Sequence, residues 1–189
     1  MSGGERPARW RVRASSHPLD DRWCRVRRDE VVLPDGSEID YFVYEESDVS
    51  VVFATTPDDE VLLVRQYKHG VAEVTLELPG GLIDAGETPE EAAARELLEE
   101  TGYAAPEGSP LRALGWTYAD SSKSPQRVFS FAATGVRRVA EPRPDANEAV
   151  SGVFLERRPV AEVAAMLDAG EIVAQASVVT ALKALRSVA

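Results

Sequence analysis

The 189-residue sequence contains one cysteine, two histidines and no long apolar run. Cys24 has no second cysteine with which to form an intrachain disulfide, and His17 and His69 show no metal-ligand spacing with it or with each other. No run approaches the ~18 apolar residues that a membrane helix requires. The first thirty residues also lack the continuous apolar segment of a signal peptide. The sequence therefore predicts a cytoplasmic protein that does not span a membrane.

Excess positive charge is also missing, because the formal net charge of the chain is −11. This balance argues against a protein that binds nucleic acid through general electrostatics. Residues 1–28 are the exception, with eight arginines against three acidic residues and a local net charge of +5. Two interpretations of this segment stay open: a solvated, partly disordered terminus, or a basic surface that faces an anionic ligand.

Short strand-like runs separated by turns make up much of the remaining sequence. Two of them flank the turn at 33–37 and predict an N-terminal hairpin of Trp23–Val32 with Ile39–Glu45. Further strands are predicted at Val49–Thr55, Val61–Gln66, Leu111–Tyr118, Arg127–Thr134 and Val150–Leu155, and helices with apolar faces at Val160–Leu167 and Val178–Leu185. This mixture of elements predicts an α+β fold with a mixed sheet.

One segment, GGLIDAGETPEEAAARELLEETGY, contains six glutamates and clear helix boundaries. Thr88 and Glu91 have the spacing of a capping box, and Pro89 occupies the first helical position. Gly102 suits the left-handed residue that ends a helix. The predicted helix is Pro89–Thr101.

On the surface of this helix the apolar and acidic residues separate into two arcs. The members are Ala93, Ala94, Leu97 and Leu98 in one arc, and Glu96, Glu99 and Glu100 in the other. The three carboxylates repel one another, and two of them lie near the helix C-terminus, where the helix dipole disfavours negative charge. Two interpretations remain: a site for a hard divalent cation such as Mg²⁺, which prefers oxygen ligands, or an ordinary solvated acidic face.

The order of residues in the segment resembles the Nudix box. The matching residues occupy all nine constrained positions and are Gly81, Glu87, Arg95, Glu96, Leu97, Glu99, Glu100, Gly102 and Tyr103. Four further runs are similar to one branch of that family: LLVRQYK (62–68), TLELPGG (75–81), DANEAV (145–150) and AGEIVAQASVVTALKAL (169–185). The branch contains ADP-ribose pyrophosphatases and other nucleotide-sugar hydrolases.

The resemblance implies a fold, a reaction, a cofactor and partners. The fold would be a Nudix-type α/β/α sandwich with a mixed sheet at 47–189, with an N-terminal arm and β-hairpin subdomain at 1–46 that takes part in dimerisation. The reaction would be hydrolysis of the diphosphate bond of a nucleoside diphosphate sugar, first of all ADP-ribose, to a nucleoside monophosphate and a sugar phosphate. The cofactor would be Mg²⁺ or Mn²⁺. The partners would be a nucleotide sugar and a second copy of the chain, without nucleic acid or membrane.

The resemblance also implies the metal ligands. Carried over by position, they are Glu96, Glu100, Glu99 as a shared or more distant ligand, and the backbone carbonyl of Gly80. Arg95 would hold a box carboxylate and orient the ligands, with Glu87 as its partner. Adjacent glycines at 80 and 81 would let the backbone pass close to the ion.

A general base is implied in a loop well after the box. Glu148 occupies the matching place and Asp145 is the reserve candidate. In the other interpretation, Glu148 begins a strand with its side chain in water.

Substrate contacts are the least determined part of the site. Arg65, Lys68 and Arg127 are candidates for contacts with phosphate, and a surface position without a role is equally consistent with each. Glu77, within TLELPGG, is a further candidate. Trp23 is the candidate to stack on the base, and packing within the hairpin or in a dimer interface is its other interpretation.

The chain departs from ADP-ribose-preferring relatives in the loop YADSSKSPQRV, which lacks a proline at the usual position. GDP-mannose, a UDP-sugar or another conjugate therefore stays open as the substrate. The competing functions are a non-catalytic Nudix-like sensor of nucleotide sugars and an acidic helix that binds a basic partner protein.

Overall fold

The computed structural model describes residues 7–143, 150 and 152–187. These residues form two compact units. The first contains the described residues up to Glu46 together with Asp120–Gln126, and the second contains Ser47–Ala119 and the described residues from Arg127 onward. Within the described residues, no helix has the length and apolar character needed to cross a membrane.

The first unit is a three-stranded antiparallel sheet. Its strands are β1 Arg11–Asp21, β2 Cys24–Val32 and β3 Glu38–Tyr44, side by side in that order. The pairing of β2 with β3 confirms the predicted hairpin. β1 is solvated, since all of its residues are exposed, but the interpretation of a partly disordered terminus is wrong for this strand because it pairs with β2.

Ion pairs show how an arginine-rich segment can form a strand. Arg13 contacts Glu30 at 2.8 Å and Glu38 at 3.0 Å, and Arg28 contacts Asp40 at 2.7 Å. Much of the positive charge of the segment is therefore matched by carboxylates on neighbouring strands.

The second unit is built on a mixed sheet. Its strands are β4 Val49–Thr55, β5 Glu60–Lys68, β6 Glu73–Glu77, β7 Gly80–Leu82, β8 Tyr103–Ala104, β9 Arg112–Tyr118, β10 Arg127–Thr134, β11 Arg137–Arg138 and β12 Val153–Pro159. In the main sheet β12, β5, β4, β10 and β9 lie in that order, while β8 and β11 form a separate ladder. Because β4 and β10 are parallel and the other pairs are antiparallel, the predicted mixed sheet is confirmed.

A fork between β4 and β5 prepares the position of the acidic helix. The two strands pair only through Thr55 and Val61 among the described residues, and they separate beyond that point. The chain fills the gap by pairing β6 with β5 and then β7 with β4. The glycine pair of β7 therefore lies beside β4, within the sheet.

Helices cover both faces of this sheet. They are α1 Pro89–Thr101, α2 Val163–Asp168, which follows a 3₁₀ turn at Val160–Glu162, and α3 Gln175–Arg186. Leu97 of α1 packs in one core cluster with Leu62, and Ala181 of α3 packs in the other with Leu63. Since neighbouring strand residues point to opposite faces, the result is the predicted α/β/α sandwich.

The ends of α1 lie where the sequence predicts them. The Thr88 hydroxyl accepts a hydrogen bond from the N–H of Glu91, and the Glu91 carboxylate accepts one from the N–H of Thr88 at 2.8 Å. Gly102 has a φ of 74° and donates its N–H to the carbonyl of Leu98. Local capping signals therefore determine both boundaries.

The buried side of α1 differs from the predicted apolar arc. Ala94 is exposed and Leu98 is 38% exposed, whereas Glu100 is only 1% exposed. The buried arc is therefore centred on Ala93, Leu97 and Glu100. One carboxylate of the predicted acidic face thus enters the interface between helix and sheet.

Candidate active site

The glycine pair of β7 brings two carboxylates of α1 to one place. The N–H of Gly80 donates to Oε2 of Glu100 at 2.9 Å. A Cβ on Gly81 would overlap the carboxylate of Glu96, and a Cβ on Gly80 would overlap the carbonyl oxygen of Ser50 on β4. The neighbouring strand therefore requires glycine at 80, whereas a side chain at 81 would displace the carboxylate of Glu96.

Arg95 connects the remaining acids of the box. Its Nε and Nη2 donate to the two oxygens of Glu87 at 2.9 and 3.0 Å, which confirms the predicted contact. Its Nη1 donates to Glu96 at 2.7 Å and to Glu99 at 3.1 Å, and Nη2 also reaches the carbonyl of Leu82 at 2.9 Å. One guanidinium thus fixes three carboxylates and the end of β7.

The contacts between Arg95 and Glu87 shift the pKa values of both side chains. The hydrogen bond to Glu87 is the main reason that the pKa of Arg95 is raised above its already high ordinary value. In return, Arg95 holds the pKa of Glu87 below its usual range, with help from the N–H of Asp84 and against the effect of burial. Both groups are therefore charged at neutral pH.

The donor set fits a hard divalent cation. The carboxylates of Glu96, Glu99 and Glu100 and the carbonyl of Gly80 are oxygen donors of the kind that Mg²⁺ and Mn²⁺ accept. Among the described residues, no three acidic, histidine or cysteine side chains are already grouped as a metal cluster. Two of the box carboxylates, Glu96 and Glu99, are held by the guanidinium of Arg95 at 2.7 and 3.1 Å.

Two candidate substrate residues lie on the face of the sheet that carries α1. Glu77 is opposite Val64, and Val64 and Lys68 each lie an even number of residues from Leu62 along β5, so all four share a face. The Nζ of Lys68 lies 3.8 Å from the carboxylate of Glu77. The structure therefore brings Lys68 and Glu77 together. Glu77 lies three residues before Gly80 in the sequence.

Arg65 lies on the opposite face. Arg65 lies three residues after Leu62 on β5, so its side chain points to the face opposite α1. Its strand partner Leu76 belongs to the core on the α3 side. Its guanidinium contacts Glu156 at 2.9 Å. Burial alone would raise the pKa of Glu156, but Arg65 and Arg158 together hold that pKa below its usual value. The structure does not bring Arg65 to the box carboxylates.

Arg127 lies on the α1 face, at the end of β10. Its Nη2 contacts Asp48 at 2.6 Å, and its guanidinium lies 5.0 Å from the ring centre of Phe129 and 6.0 Å from that of Trp116. A row of paired residues, Gly81, Ser50, Phe129 and Trp116, crosses the sheet from β7 to β9. The row spans three strand spacings, or ~14 Å.

The remaining candidates belong to the first unit or lie outside the described residues. Trp23 belongs to the first unit, where its side chain is 71% exposed and the guanidinium of Arg22 lies 4.4 Å from its ring centre. Glu148 and Asp145 lie outside the described residues. The roles of all three stay predictions.

Two residues of the site were missed by the sequence reasoning. Asp48 accepts hydrogen bonds from the N–H and guanidinium of Arg127 and, through its carbonyl, from the N–H of Ile83. Ser50 is completely buried and donates its hydroxyl to the carbonyl of Pro89 at 2.6 Å. A serine inside the apolar run VSVVFA was the available signal, because a buried hydroxyl requires a partner.

Comparison with known proteins decides the family. The family model described as NUDIX domain matches residues 45–178. The chain belongs to the Nudix family. This confirms the resemblance carried by the box and makes the chain a Nudix pyrophosphohydrolase. The model described as nucleoside diphosphate sugar hydrolase N-terminal domain matches residues 10–44.

Several curated Nudix relatives are similar to this chain. An ADP-ribose pyrophosphatase of Mycobacterium tuberculosis is 36% identical over 149 residues, which cover 78% of this chain and 70% of the relative. An ADP-ribose pyrophosphatase of Bacillus subtilis is 34% identical over 77 residues, covering 41% of this chain and 42% of the relative. An ADP-sugar pyrophosphatase of Mus musculus is 46% identical over 55 residues, covering 29% and 25%.

A solved structure described as an ADP compounds hydrolase supports the fold. It matches with a TM-score of 0.82 and covers 98% of this chain and 97% of its own. The sequence identity is 20%, so the match concerns the fold alone.

Proposed function

We propose that this Nudix enzyme hydrolyses the diphosphate bond of a nucleoside diphosphate sugar, with ADP-ribose as the first candidate. The products are a nucleoside monophosphate and a sugar phosphate. The observation that carries the proposal is the approach of Glu96 and Glu100 to the glycine pair of β7. The names of the relatives support the substrate class, since they are ADP-ribose and ADP-sugar pyrophosphatases.

The metal in this proposal is Mg²⁺, with Mn²⁺ as the alternative. Glu96, Glu99, Glu100 and the carbonyl of Gly80 would hold it. When bound, such an ion offsets the charge of the diphosphate and lowers the pKa of water. This offset explains how a chain with a net charge of −11 could bind an anionic substrate.

Arg95 and Glu87 act as positioning residues. Glu87 receives two hydrogen bonds from Arg95, and Arg95 in turn fixes Glu96 and Glu99. Because the oxygens of Glu96 and Glu99 are held before substrate arrives, little reorganisation is needed during the reaction. Glu99 serves both this network and the metal.

Glu148 is the proposed general base, because of its place in the family pattern. Proposed substrate contacts come from Lys68, Glu77 and Arg127, which share the α1 face of the sheet. Trp23 is proposed to stack on the base. Arg65 has the weakest support, since its side chain lies on the other face and contacts Glu156.

A homodimer formed through the first unit is part of the proposal. The unit leaves large apolar side chains exposed, with Trp10 at 49%, Phe42 at 43% and Tyr44 at 49%. Exposed apolar groups of this extent are typical of interaction surfaces. We place the dimer in the cytoplasm, as the sequence predicts.

Another sugar nucleotide, such as GDP-mannose, is the second candidate substrate. The loop YADSSKSPQRV favours it because the proline usual in ADP-ribose-preferring relatives is missing.

Product analysis tests the proposed reaction. The protein is incubated with Mg²⁺ and, separately, ADP-ribose, GDP-mannose, UDP-glucose, NADH and a diadenosine polyphosphate, and the products are separated by chromatography. We expect one of the sugar nucleotides to yield a nucleoside monophosphate and a sugar phosphate, and EDTA to abolish the reaction. Release of inorganic phosphate, or no turnover with either Mg²⁺ or Mn²⁺, would contradict the proposal and favour a sensor.

A matched pair of variants assigns the reaction to the box. Loss of a residue that supports a metal ligand costs at most ~100-fold. Because Glu100 is itself a proposed ligand, Glu100→Gln should lower kcat by more than this. Glu107→Gln removes the same charge from an exposed loop and should leave kcat unchanged. Equal activity of the two variants would show that the reaction does not use Glu100.

A further inference from the structure

A buried glutamine lies among the proposed substrate residues and was missed by the sequence reasoning. Gln66 is 5% exposed. Its side-chain amide makes no hydrogen bond with the residues that the structure describes, and the amide atoms are not among the buried polar atoms that lack a partner, so they are accessible to solvent. An accessible amide on an otherwise buried side chain can exchange its water for a ligand group that reproduces the hydrogen bonds.

The strand register fixes the direction of the Gln66 side chain. Gln66 is paired with Thr75 on β6 and with Val153 on β12 in ladders without a bulge. Gln66 lies four residues after Leu62 on the same regular strand, so its side chain points to the same face as Leu62, which packs against α1. The amide lies on the face of the sheet that carries the box helix.

The neighbours of Gln66 are already occupied with each other. The Thr75 hydroxyl donates to Glu77 at 2.5 Å, and the ammonium of Lys68 lies 3.8 Å from the other oxygen of Glu77. The amide of Gln66 is left as a neutral group with both a donor and an acceptor. A hydroxyl, which also donates and accepts, matches it better than phosphate, which offers acceptors alone.

The distance to the box suits the sugar half of the proposed substrate. Thr75, the strand partner of Gln66, precedes Gly80 by five residues of largely extended chain, which reach at most ~17 Å. A substrate whose diphosphate lies at the glycine pair can therefore extend its sugar along β6 to the amide.

We infer that Gln66 is a specificity-determining residue whose amide hydrogen-bonds the hydroxyls of the sugar joined to the nucleoside diphosphate. The inference rests on the proposed function, because it assumes that the diphosphate is bound at the box. Its effect is to discriminate between sugars and other groups on the same diphosphate. A site that hydrogen-bonds a hydroxyl rejects an analogue that lacks it, because the polar groups of the site then lose their partner.

A pair of substrates and a pair of variants test this inference. The substrates are ADP-ribose and an ADP ester of a simple alkyl alcohol, which has the same adenosine diphosphate and lacks the second sugar. Gln66→Met keeps the approximate shape of the side chain and removes its hydrogen bonds. We expect kcat/KM for ADP-ribose to fall about 10- to 100-fold, the usual range for one lost hydrogen bond in a buried site, and kcat/KM for the ester to stay unchanged. The melting temperature should stay nearly the same, since the substitution removes no hydrogen bond between the amide and the described residues.

Controls separate the inference from the proposed function. Gln175→Met makes the same change on the exposed first turn of α3 and should affect neither substrate. If Gln66→Met does not fold, Gln66→Glu, which keeps the shape and loses the donor, should show the same selective loss. If one of the two compounds turns over too slowly for kinetics, its affinity is measured instead as an inhibition constant, with the other compound as the substrate.

Three results decide the matter. Equal losses on both substrates, or no loss on either, would overturn the role of Gln66 while leaving the proposed reaction intact. A wild-type protein that hydrolyses neither compound and is inhibited by neither would instead overturn the proposed function, together with this inference. Selective loss on ADP-ribose supports both.

Discussion

At the residue scale, Arg95 determines how three box carboxylates are held next to one another. Like charges at helical spacing repel, and the guanidinium of Arg95 offsets that repulsion by donating to Glu87, Glu96 and Glu99. The guanidinium is planar and presents several donors in a fixed fork, which suits a bidentate contact with Glu87. A lysine would offer one compact charge and could not make all of these contacts together.

This reasoning predicts a loss of activity in Arg95→Gln and little recovery in Arg95→Lys. We expect kcat to fall about 10- to 100-fold, as is usual when a residue that orients metal ligands is removed. Steady-state kinetics with the hydrolysed substrate at saturating Mg²⁺ measures the change. Arg137→Gln, which removes an exposed arginine from β11, is the control and should keep full kcat. Unchanged kcat in Arg95→Gln would show that the carboxylates are held by other contacts.

Single residues also show where sequence reasoning succeeds and where it fails. The contact between Arg95 and Glu87 could be predicted because both belong to one box with fixed spacing. The position of Arg65 could not, because LLVRQYK does not alternate and the face of each side chain follows from the pairing of β5 with β6 and β12. Gln66 was missed for the same reason.

At the element scale, β7 is a three-residue strand with two different steric requirements. Gly80 lies against the backbone of β4, which cannot move without opening the sheet. Gly81 lies against the far end of the flexible Glu96 side chain, which can move. Adjacent glycines therefore serve the fold at one position and the site at the next.

This difference predicts opposite effects of two alanine substitutions. Gly80→Ala should lower the free energy of unfolding by about 1–3 kcal/mol, the usual cost of an overpacked position. Gly81→Ala should leave stability nearly unchanged and lower kcat, because Glu96 must leave its position. Chemical denaturation and steady-state kinetics, run on the same preparations, separate the two effects. Gly70→Ala is the control, since a Cβ there would meet nothing within 4 Å among the described residues. A loss of kcat without a loss of stability in Gly80→Ala would contradict the assignment.

The elements differ in how far the sequence determines them. The bounds of α1 could be predicted because the capping box, Pro89 and Gly102 act locally. Its buried arc could not, because the close approach of the helix to Gly81 turns Glu100 inward and Leu98 outward. The short strands β7, β8 and β11 escaped prediction because two or three residues carry no periodic pattern and depend on their pairing partners.

At the scale of the whole molecule, the two units are stabilised in different ways. The second has helices on both faces of its sheet and extensive apolar core clusters. In the described part of the first, the buried residues are Asp29 and Val31. A three-stranded sheet with so little apolar burial depends more on polar contacts. Asp29 is the centre of these contacts, since its carboxylate accepts from the Ser15 hydroxyl at 2.6 Å and from Arg27 at 2.9 Å.

The stability of the first unit should therefore depend on pH through Asp29. The hydrogen bond from Arg27 is the main cause that holds the pKa of Asp29 below its ordinary value, with the Ser15 hydroxyl also contributing and burial opposing both. Because the folded pKa is the lower one, the stabilisation is fully present above the unfolded value of ~3.9 and is lost as pH falls through the folded pKa.

Asp29→Asn tests this dependence. At neutral pH it should lower the free energy of unfolding of the first unit by about 1–3 kcal/mol, the cost of losing a buried charge-assisted hydrogen bond. The difference from the wild type should stay constant down to about pH 5 and shrink below about pH 4, since protonation then removes the same charge from the wild type. Hydrogen exchange of the amides of β1, β2 and β3 reports on this unit separately from the second. Asp58→Asn, at an exposed turn, should leave those amides unaffected. A constant difference between the two proteins across the acid range would mean that the charge of Asp29 does not stabilise the sheet, and that its contacts with Ser15 and Arg27 act only through shape.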